Sequence, residues 1–385
     1  DLCYHGTDGH YTLLYDGSGT IEFGMDATVL SRRKGRIDLR VELTCDPSCW
    51  YDTANWLPYC TDNGLPLTWT ALDENDPIRN VRILLPGHET TYLQQPFNGA
   101  YLKSLERYSV LRFMDFHETN AWHFDHVPDW NSRTLPKDLT QQGHGTGGAA
   151  IEYSLLLANT LGADAWYCVP HAADDAYVRQ MAEFVLLGLD VRTDGKLYIE
   201  YSNEVWNTLF NAGDYATVKG APLAGQGDCI LHGDMCNRAR WNAQRTQEIS
   251  QIWRATAKEL YDSGELSSDW NGEGRIKVVL GTWAIYGDTW SQEMLEWNNT
   301  ADWVDYIGTT GYLSADIDNT WQTYSASDVV DAIGASAQQH RDDPDDYISE
   351  TQNFLDQFNA DRAAAAAANG DEIVNKIQLI TYEAG

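Results

Sequence analysis

Two glutamates at the ends of apolar runs carry the chemistry this sequence offers. One is Glu204, in Lys196-Leu-Tyr-Ile-Glu-Tyr-Ser-Asn-Glu-Val-Trp-Asn207; the other is Glu383, in Lys376-Ile-Gln-Leu-Ile-Thr-Tyr-Glu-Ala-Gly385. The first half of the earlier run alternates as a strand does, Leu197, Ile199 and Tyr201 against Tyr198 and Glu200. Its tyrosines and β-branched residue suit a pleated, packed surface. Ser202-Asn203-Glu204 then brings polar groups that have no place in a strand core. A carboxyl at the mouth of an apolar strand loses hydration, which favours the protonated state a general acid needs. An ordinary strand ending in a solvated acidic turn has the same pattern, so a second working group at the same mouth must decide. Two carboxyls facing each other beside hydroxyl and aromatic groups can cleave a glycosidic bond. One protonates the leaving oxygen and the other attacks the sugar carbon, about 5–5.5 Å away in a retaining enzyme.

The elements that must position these groups follow from periodicity. From Ile78 the chain reads strand, helix, strand, helix. The strands are Val81 to Leu85, Ser109 to Phe116, Asp164 to His171, the run before Ser202, Ile276 to Leu280, Trp303 to Ile307, and Lys376 onward. Between them Ile151, Leu155 and Ala158 share a helix face, as do Val178, Met181, Ala182 and Val185 behind a capping Asp174. Ile249, Ile252, Trp253 and Leu260 mark a longer helix stopped by Gly264. The alanine run Ala363 to Ala368, closed by Asn369-Gly370, needs only helix propensity to explain it. Repeated βα units imply an α/β fold with parallel strands, here a (β/α)8 TIM barrel over residues 77–385. Its eighth strand is expected beyond this sequence, which stops directly after strand seven. Residues 1–76 read as a β-sandwich-like N-terminal domain, with Asp16-Gly17 and Gly19 punctuating short strands. The competing open, doubly wound sheet usually has a glycine-rich phosphate turn after its first strand, and Pro86-Gly87-His88-Glu89 is not one. There is no P-loop and no G-x-S-x-G elbow.

In such a barrel the working groups stand at the C-terminal strand ends. In chain order those ends carry Asp115 and His117, His171, Asn203 and Glu204, Trp283, Tyr312, and Glu383. Tyr201-Ser-Asn-Glu204 with Tyr382-Glu-Ala-Gly385 resembles the signature of the clan A glycoside hydrolases. With Val110-Leu-Arg-Phe-Met-Asp115 and Pro170-His-Ala172, the run is similar to secreted proteins of that clan labelled cellulose-binding or glycosidase-like. The resemblance covers the chain from Tyr11 onward. It implies Glu204 as acid/base, Glu383 as nucleophile and Asn203 as the partner of the sugar 2-hydroxyl. It implies that Tyr312 orients Glu383, that Arg112 keeps Glu383 ionised, and that His171, Trp206 and Trp283 line sugar subsites; apart from the resemblance, His117 reads as part of a substrate-facing loop after the second strand. Against it, Arg112 pairs equally well with Asp115, His171 also reads as a satisfied strand-end histidine, and Trp206 as core. No cofactor and no metal is expected. The His117, His123 and His126 cluster has metal-binding residue types but does not match H-E-x-x-H.

Composition limits the partners. The 385 residues carry a formal net charge of −31, which argues against nucleic acid or an anionic membrane surface. No apolar stretch reaches membrane-spanning length. The chain has 15 Trp and 21 Tyr, mostly core material, though sugar clefts also use flat aromatic faces. Of seven cysteines, Cys3, Cys45, Cys49, Cys60, Cys229 and Cys236 sit in loop-like contexts that suit an oxidising compartment, hence a secreted protein. Cys229 and Cys236 bracket a short loop and are expected to bridge; Cys168, in an apolar strand, reads as a buried thiol. Asn298-Asn-Thr300 is a glycosylation sequon. The function expected is retaining hydrolysis of a polysaccharide or oligosaccharide. The alternative is a glycosidase-like module that no longer turns over and binds glycan or builds an extracellular assembly with further subunits.

Overall fold

The computed structural model describes residues 8–42, 51–52, 57–58, 65–138, 140–141, 148–190, 192, 194–267, 272–312, 325–343, 345–371 and 375–383. The expectations for Cys3, Cys45, Cys49 and Cys60 lie outside these residues. Two compact units divide the chain, Asp1–Leu105 and Glu106–Gly385.

The first unit holds strands β1 (Gly9–Asp16), β2 (Gly19–Phe23), β3 (Ala27–Arg33), β4 (Arg36–Val41), β5 (Tyr51–Asp52), β6 (Leu57–Pro58), β7 (Leu67–Leu72) and β8 (Arg79–Leu84), then helix α1 (Gly99–Leu105). A four-stranded antiparallel sheet has the order β3-β4-β1-β8, and β2 pairs with β7 as a separate ribbon. Alternate residues of β1 and β4, among them Leu13, Ile37 and Leu39, bury one face, and Ile21 of β2 joins the same core.

One expectation is corrected here. Residues 79–84 do not open the parallel sheet; they pair antiparallel with β1, Thr12 opposite Leu84. The first unit therefore extends past residue 76. The burial pattern gives the reason. Arg82 and Ile83 are exposed while Leu84 is buried, as in a strand with one wet face, whereas a parallel strand is covered on both faces.

The second unit carries β9 (Val110–Arg112), α2 (Ile151–Leu161), β10 (Asp164–Val169), α3 (Asp175–Gly188), β11 (Leu197–Tyr201), α4 (Asn211–Ala224) and α5 (Asp234–Asp262). It continues with β12 (Ile276–Gly281), α6 (Gly287–Glu296), β13 (Tyr306–Thr310), α7 (Ala326–Asp342), α8 (Tyr347–Asn369) and β14 (Gln378–Glu383). Its six strands form one parallel sheet in sequential order, β9 to β14. Trp166, Cys168, Tyr198, Val279, Tyr306 and Tyr382 make one cluster with Val110 and Ile380. Side chains of the first and last strands thus meet: the Arg112 guanidinium lies 5.0 Å from the centre of the Tyr382 ring. The sheet is therefore curled into part of a barrel. Among the described residues the sheet holds six of the seven strands expected in this chain and is not a complete barrel.

The opposite face packs on helices. Val178, Met181, Ala182 and Val185 of α3 are buried, as are Ile249, Trp253 and Ala257 of α5. Asp174 caps α3 by accepting from the Tyr177 N–H, and Gly370 ends α8 at a φ of 79°. Cys229 and Cys236 form a disulfide, and Cys168 is a free buried thiol. Among the described residues no helix is long and apolar enough to cross a membrane.

Candidate active site

The site begins inside β11. Every residue from Leu197 to Tyr201 is buried, Glu200 among them. A carboxylate there must be paired. Arg112 of β9 supplies the pair, donating from Nε at 3.0 Å and from Nη2 at 2.9 Å to Glu200 Oε2. Trp166 Nε1 donates to the same oxygen at 2.9 Å, and the Cys168 thiol lies 3.4 Å from it. Burial pushes Glu200 up from the usual carboxylate range, and the Arg112 guanidinium opposes that shift. Burial also raises the Cys168 thiol, so it stays a protonated donor. For Arg112, burial works against the charge, but the Glu200 carboxylate opposes it through its charge and its hydrogen bond, and the guanidinium holds its proton more firmly than usual.

Strand alternation places Glu200 and Asn203 on opposite faces. The backbone cancels that separation. Ser202 has φ 55° and Glu204 φ 43°, both in the left-handed region that a side chain makes costly, about 1–2 kcal/mol per residue. The turn is held by Ser202 N–H donating to the Val169 carbonyl at 2.8 Å and Asn207 N–H donating to that of Glu204 at 2.8 Å. As a result Asn203 also meets Arg112, whose Nη2 donates to Asn203 Oδ1 at 2.8 Å. Asn203 Nδ2 donates in turn to Asn120 Oδ1 at 3.2 Å. Such strain persists where the surroundings over-determine it, and it clusters at functional sites.

Glu204 is buried at 8 % exposure and takes one hydrogen bond on each oxygen. Tyr382 Oη donates to Oε1 at 3.2 Å and Asn207 Nδ2 to Oε2 at 2.9 Å. Burial and then the charge of Glu204 push the Tyr382 phenol far up, so it remains a donor. Glu383 stands exposed at the end of β14. Pairing passes from Thr309–Thr381 to Thr310–Glu383, leaving Tyr382 as an extra residue in a bulge. Bulges re-aim side chains, and here two consecutive residues serve the mouth. The Tyr312 hydroxyl bonds Glu383, and its pKa is pushed up to about 12 by burial, that bond and the charges of Glu383 and Glu204. One tyrosine therefore feels both carboxylates.

No family model matches the chain, and no curated protein matches it. Among solved structures it is similar to AbfB, a family 51 alpha-L-arabinofuranosidase from Bifidobacterium longum, with a TM-score of 0.41 and 15% identity. The match covers 74% of this chain and 48% of that one, so the chain spans about half the length of that protein.

The remaining residues singled out in the sequence separate into two groups. Trp206 and Trp283 stack 5.4 Å apart with planes 5° from parallel, and exposed Tyr286 meets Trp283 edge-on at 5.1 Å. Trp206 follows Glu204 by two residues, so this shelf adjoins the acid. The histidines are spent elsewhere. His171 is buried, its Nε2 lies 3.2 Å from the Phe124 carbonyl, and its ring packs 5.1 Å from Tyr215. Burial lowers its pKa below the ordinary histidine value. His117 donates Nδ1 to the Ala149 carbonyl at 3.0 Å, has Nε2 3.0 Å from Ser154 Oγ, and stacks on Tyr167. It ties the loop after β9 to α2. His126 stacks on Trp122 at 5.3 Å. The resemblance gave Arg112 to Glu383, with Asp115 as the rival; its N–H groups go to Glu200 and Asn203 instead.

Sequence reasoning missed Glu200, Tyr382, Asn207 and Asn120. Glu200 left a signal, since a charge in mid-strand between Ile199 and Tyr201 must be neutralised somewhere. Tyr382 shares the inner face with Ile380 two residues before it, and so reads as ordinary core.

Proposed function

We propose that the second unit is a retaining β-glycoside hydrolase acting on a polysaccharide or oligosaccharide outside the cell. The observation that supports this best is the gathering of Glu204 and Glu383 at one mouth, each bonded by a tyrosine, with Tyr312 close enough to feel both charges. Glu204 is buried and its two bonds come from side-chain donors of β14 and the turn after β11, which fixes the carboxyl in one orientation. In this reading Glu204 protonates the leaving oxygen, then activates water for the second displacement. Glu383, exposed and held by Tyr312, attacks the sugar carbon. Asn203 presents an amide to the 2-hydroxyl, an interaction that strengthens in the transition state. The Trp206 and Trp283 shelf offers a flat surface on which a sugar's apolar face can stack. An oxidising compartment is supported by the Cys229–Cys236 disulfide.

The test is hydrolysis of a panel of aryl β-glycosides and polysaccharides by the wild type, Glu204→Gln and Glu383→Gln. Both variants are expected to lose about 100- to 10,000-fold in kcat. Azide is expected to rescue a Glu383→Ala variant, whose truncated side chain leaves it room, with inverted stereochemistry at the sugar carbon. A wild type as inert as Glu383→Gln on every substrate, with glycan binding intact, replaces the enzyme by a binding module.

A further inference from the structure

We infer that Glu200 is a positioning residue, which fixes through Arg112 the direction in which the Asn203 amide faces the substrate. The inference rests on the reading of Asn203 as the partner of the sugar 2-hydroxyl and goes beyond it by naming what sets the donor.

An asparagine side chain has an oxygen that accepts and a nitrogen that donates, and rotation by half a turn exchanges them. Which one a ligand meets is decided by the neighbours. Arg112 can only donate. Its Nη2, 2.8 Å from Asn203, therefore takes the Oδ1 side and turns Nδ2 the other way. Asn120 Oδ1 accepts one Nδ2 proton at 3.2 Å, and Asn120 is itself oriented with its Nδ2 3.7 Å from the Met114 sulfur. Among the described residues the second Nδ2 proton has no further acceptor, and in the proposed reading it meets the incoming oxygen. Asn203 is thereby a donor at the mouth.

That assignment holds only while Arg112 stays where it is, and Glu200 is what keeps it there. Two of the guanidinium's N–H groups end on Glu200 Oε2, and the pair is buried, with side-chain exposures of 13% and 2%. Trp166 Nε1–H and the Cys168 thiol brace the carboxylate from the side. The aromatic faces of Trp166 and Tyr382, 5.4 and 5.0 Å from the guanidinium carbon, confine the cation in its plane. Among the described residues, the charged and titratable groups around the pair include Cys168, Tyr382, Tyr312, Glu204 and Asp115, and Glu200 is the carboxylate that meets the guanidinium directly. Its chain of contacts runs from mid-strand in β11, across to β9, and back to the turn of the same β11 strand.

The test uses the best-cleaved 4-nitrophenyl β-glycoside and its 2-deoxy analogue. Glu200→Gln keeps the size of the side chain and removes the charge that anchors Arg112. We expect kcat on the parent glycoside to fall about 10- to 100-fold, the range found when a residue that orients a functional group is lost. The 2-deoxy analogue has no hydroxyl for Asn203 to grip. Its turnover is expected to change less than threefold, so the ratio between the two substrates collapses. Equal losses on both substrates overturn the inference, because a general loosening of the mouth does not discriminate. Glu200→Gln leaves Arg112 buried without its counter-ion; if it does not fold, Glu200→Gln with Arg112→Met removes both charges and must collapse the same ratio. A readout independent of turnover separates this inference from the functional reading. The Asn203 side-chain amide pair in ¹⁵N spectra, assigned by its loss in Asn203→Asp, must shift in the Glu200 variant. If the wild type is inert on every glycoside the enzyme reading fails, and an unmoved Asn203 signal overturns the relay on its own.

Discussion

Among the described residues of the second unit, two buried arginine–glutamate pairs are used differently. Arg240 of α5 meets Glu293 of α6 at 2.6 Å, and both side chains are almost wholly buried. Its other N–H groups go to backbone: the carbonyls of Leu223, Ala224, Gln226 and Asp228. Glu293 completes the arrangement by accepting from the Ile230 N–H at 3.0 Å. This pair staples the segment between α4 and α5, next to the Cys229–Cys236 bridge. Arg112 and Glu200 are chemically the same pair, but the spare N–H of Arg112 reaches a side-chain amide at the mouth. A buried ion pair is thus no mark of function by itself. What matters is where its remaining donors go: to carbonyls, where they hold the chain, or to a side chain that in the proposed reading meets the substrate.

That contrast is breakable. The largest effect is expected from Glu293→Gln, which strands Arg240 as an uncompensated buried charge. Stability to urea should fall by about 3–5 kcal/mol. The ratio of turnover on parent and 2-deoxy glycosides should stay that of the wild type; a collapsed ratio would erase the distinction between the pairs. Next comes the disulfide. Replacing Cys229 and Cys236 by serine opens a loop of sequence separation 7, and the chain-entropy relation gives about 2–3 kcal/mol lost. Urea midpoints in the presence and absence of reductant measure it, and reductant should no longer affect the double variant. Third, Asn120→Ala removes one neutral acceptor from Asn203. The expected loss in kcat/KM is about 2- to 10-fold, the worth of one such bond, and confined to substrates bearing a 2-hydroxyl.

The smallest effect concerns two histidines with opposite signs. Burial holds His171 below its ordinary value of 6.5. Its contribution to stability is therefore full above that value and is lost as pH falls through it towards the folded value. His340 is shifted the other way. Its burial lowers the value, but the Tyr312 carbonyl at 3.0 Å and the Asp346 carboxylate at 2.7 Å raise it further. Its contribution is full below 6.5 and is lost as pH rises through the folded value. His171→Gln should flatten the acid side of a stability–pH curve, and His340→Gln the neutral side. Urea midpoints across that range decide it.

Much of the frame was legible in the sequence. The strands at Asp164, Leu197, Ile276 and Lys376, the caps at Asp174 and Gly370, and the Cys229–Cys236 bridge all follow from local chemistry. The strand at Val81 was legible as a strand but not as to its partner, because an apolar run of that length fits either sheet. The two glutamates could be picked out because each ends such a run. Their surroundings could not. Period-2 reasoning separates Glu200 from Asn203, and the left-handed backbone at Ser202 between them brings both to Arg112. The same reasoning separates Tyr382 from Glu383, and only the bulge in β14 lets both serve the mouth. His117 and His171 had the right residue type at the right strand ends. Their ring nitrogens are occupied by backbone and hydroxyl groups that lie far away in sequence.

The pairing of Glu204 with Glu383 is tested most directly by trapping. A 2-deoxy-2-fluoro aryl glycoside slows both displacements and lets the glycosyl-enzyme accumulate. Mass spectrometry of the digested protein is predicted to find one added sugar, on the peptide containing Glu383 and on that residue. The adduct should still form in Glu204→Gln when the leaving group needs no proton. A sugar carried by Glu204, or none carried by a protein that turns over the parent glycoside, would contradict the account.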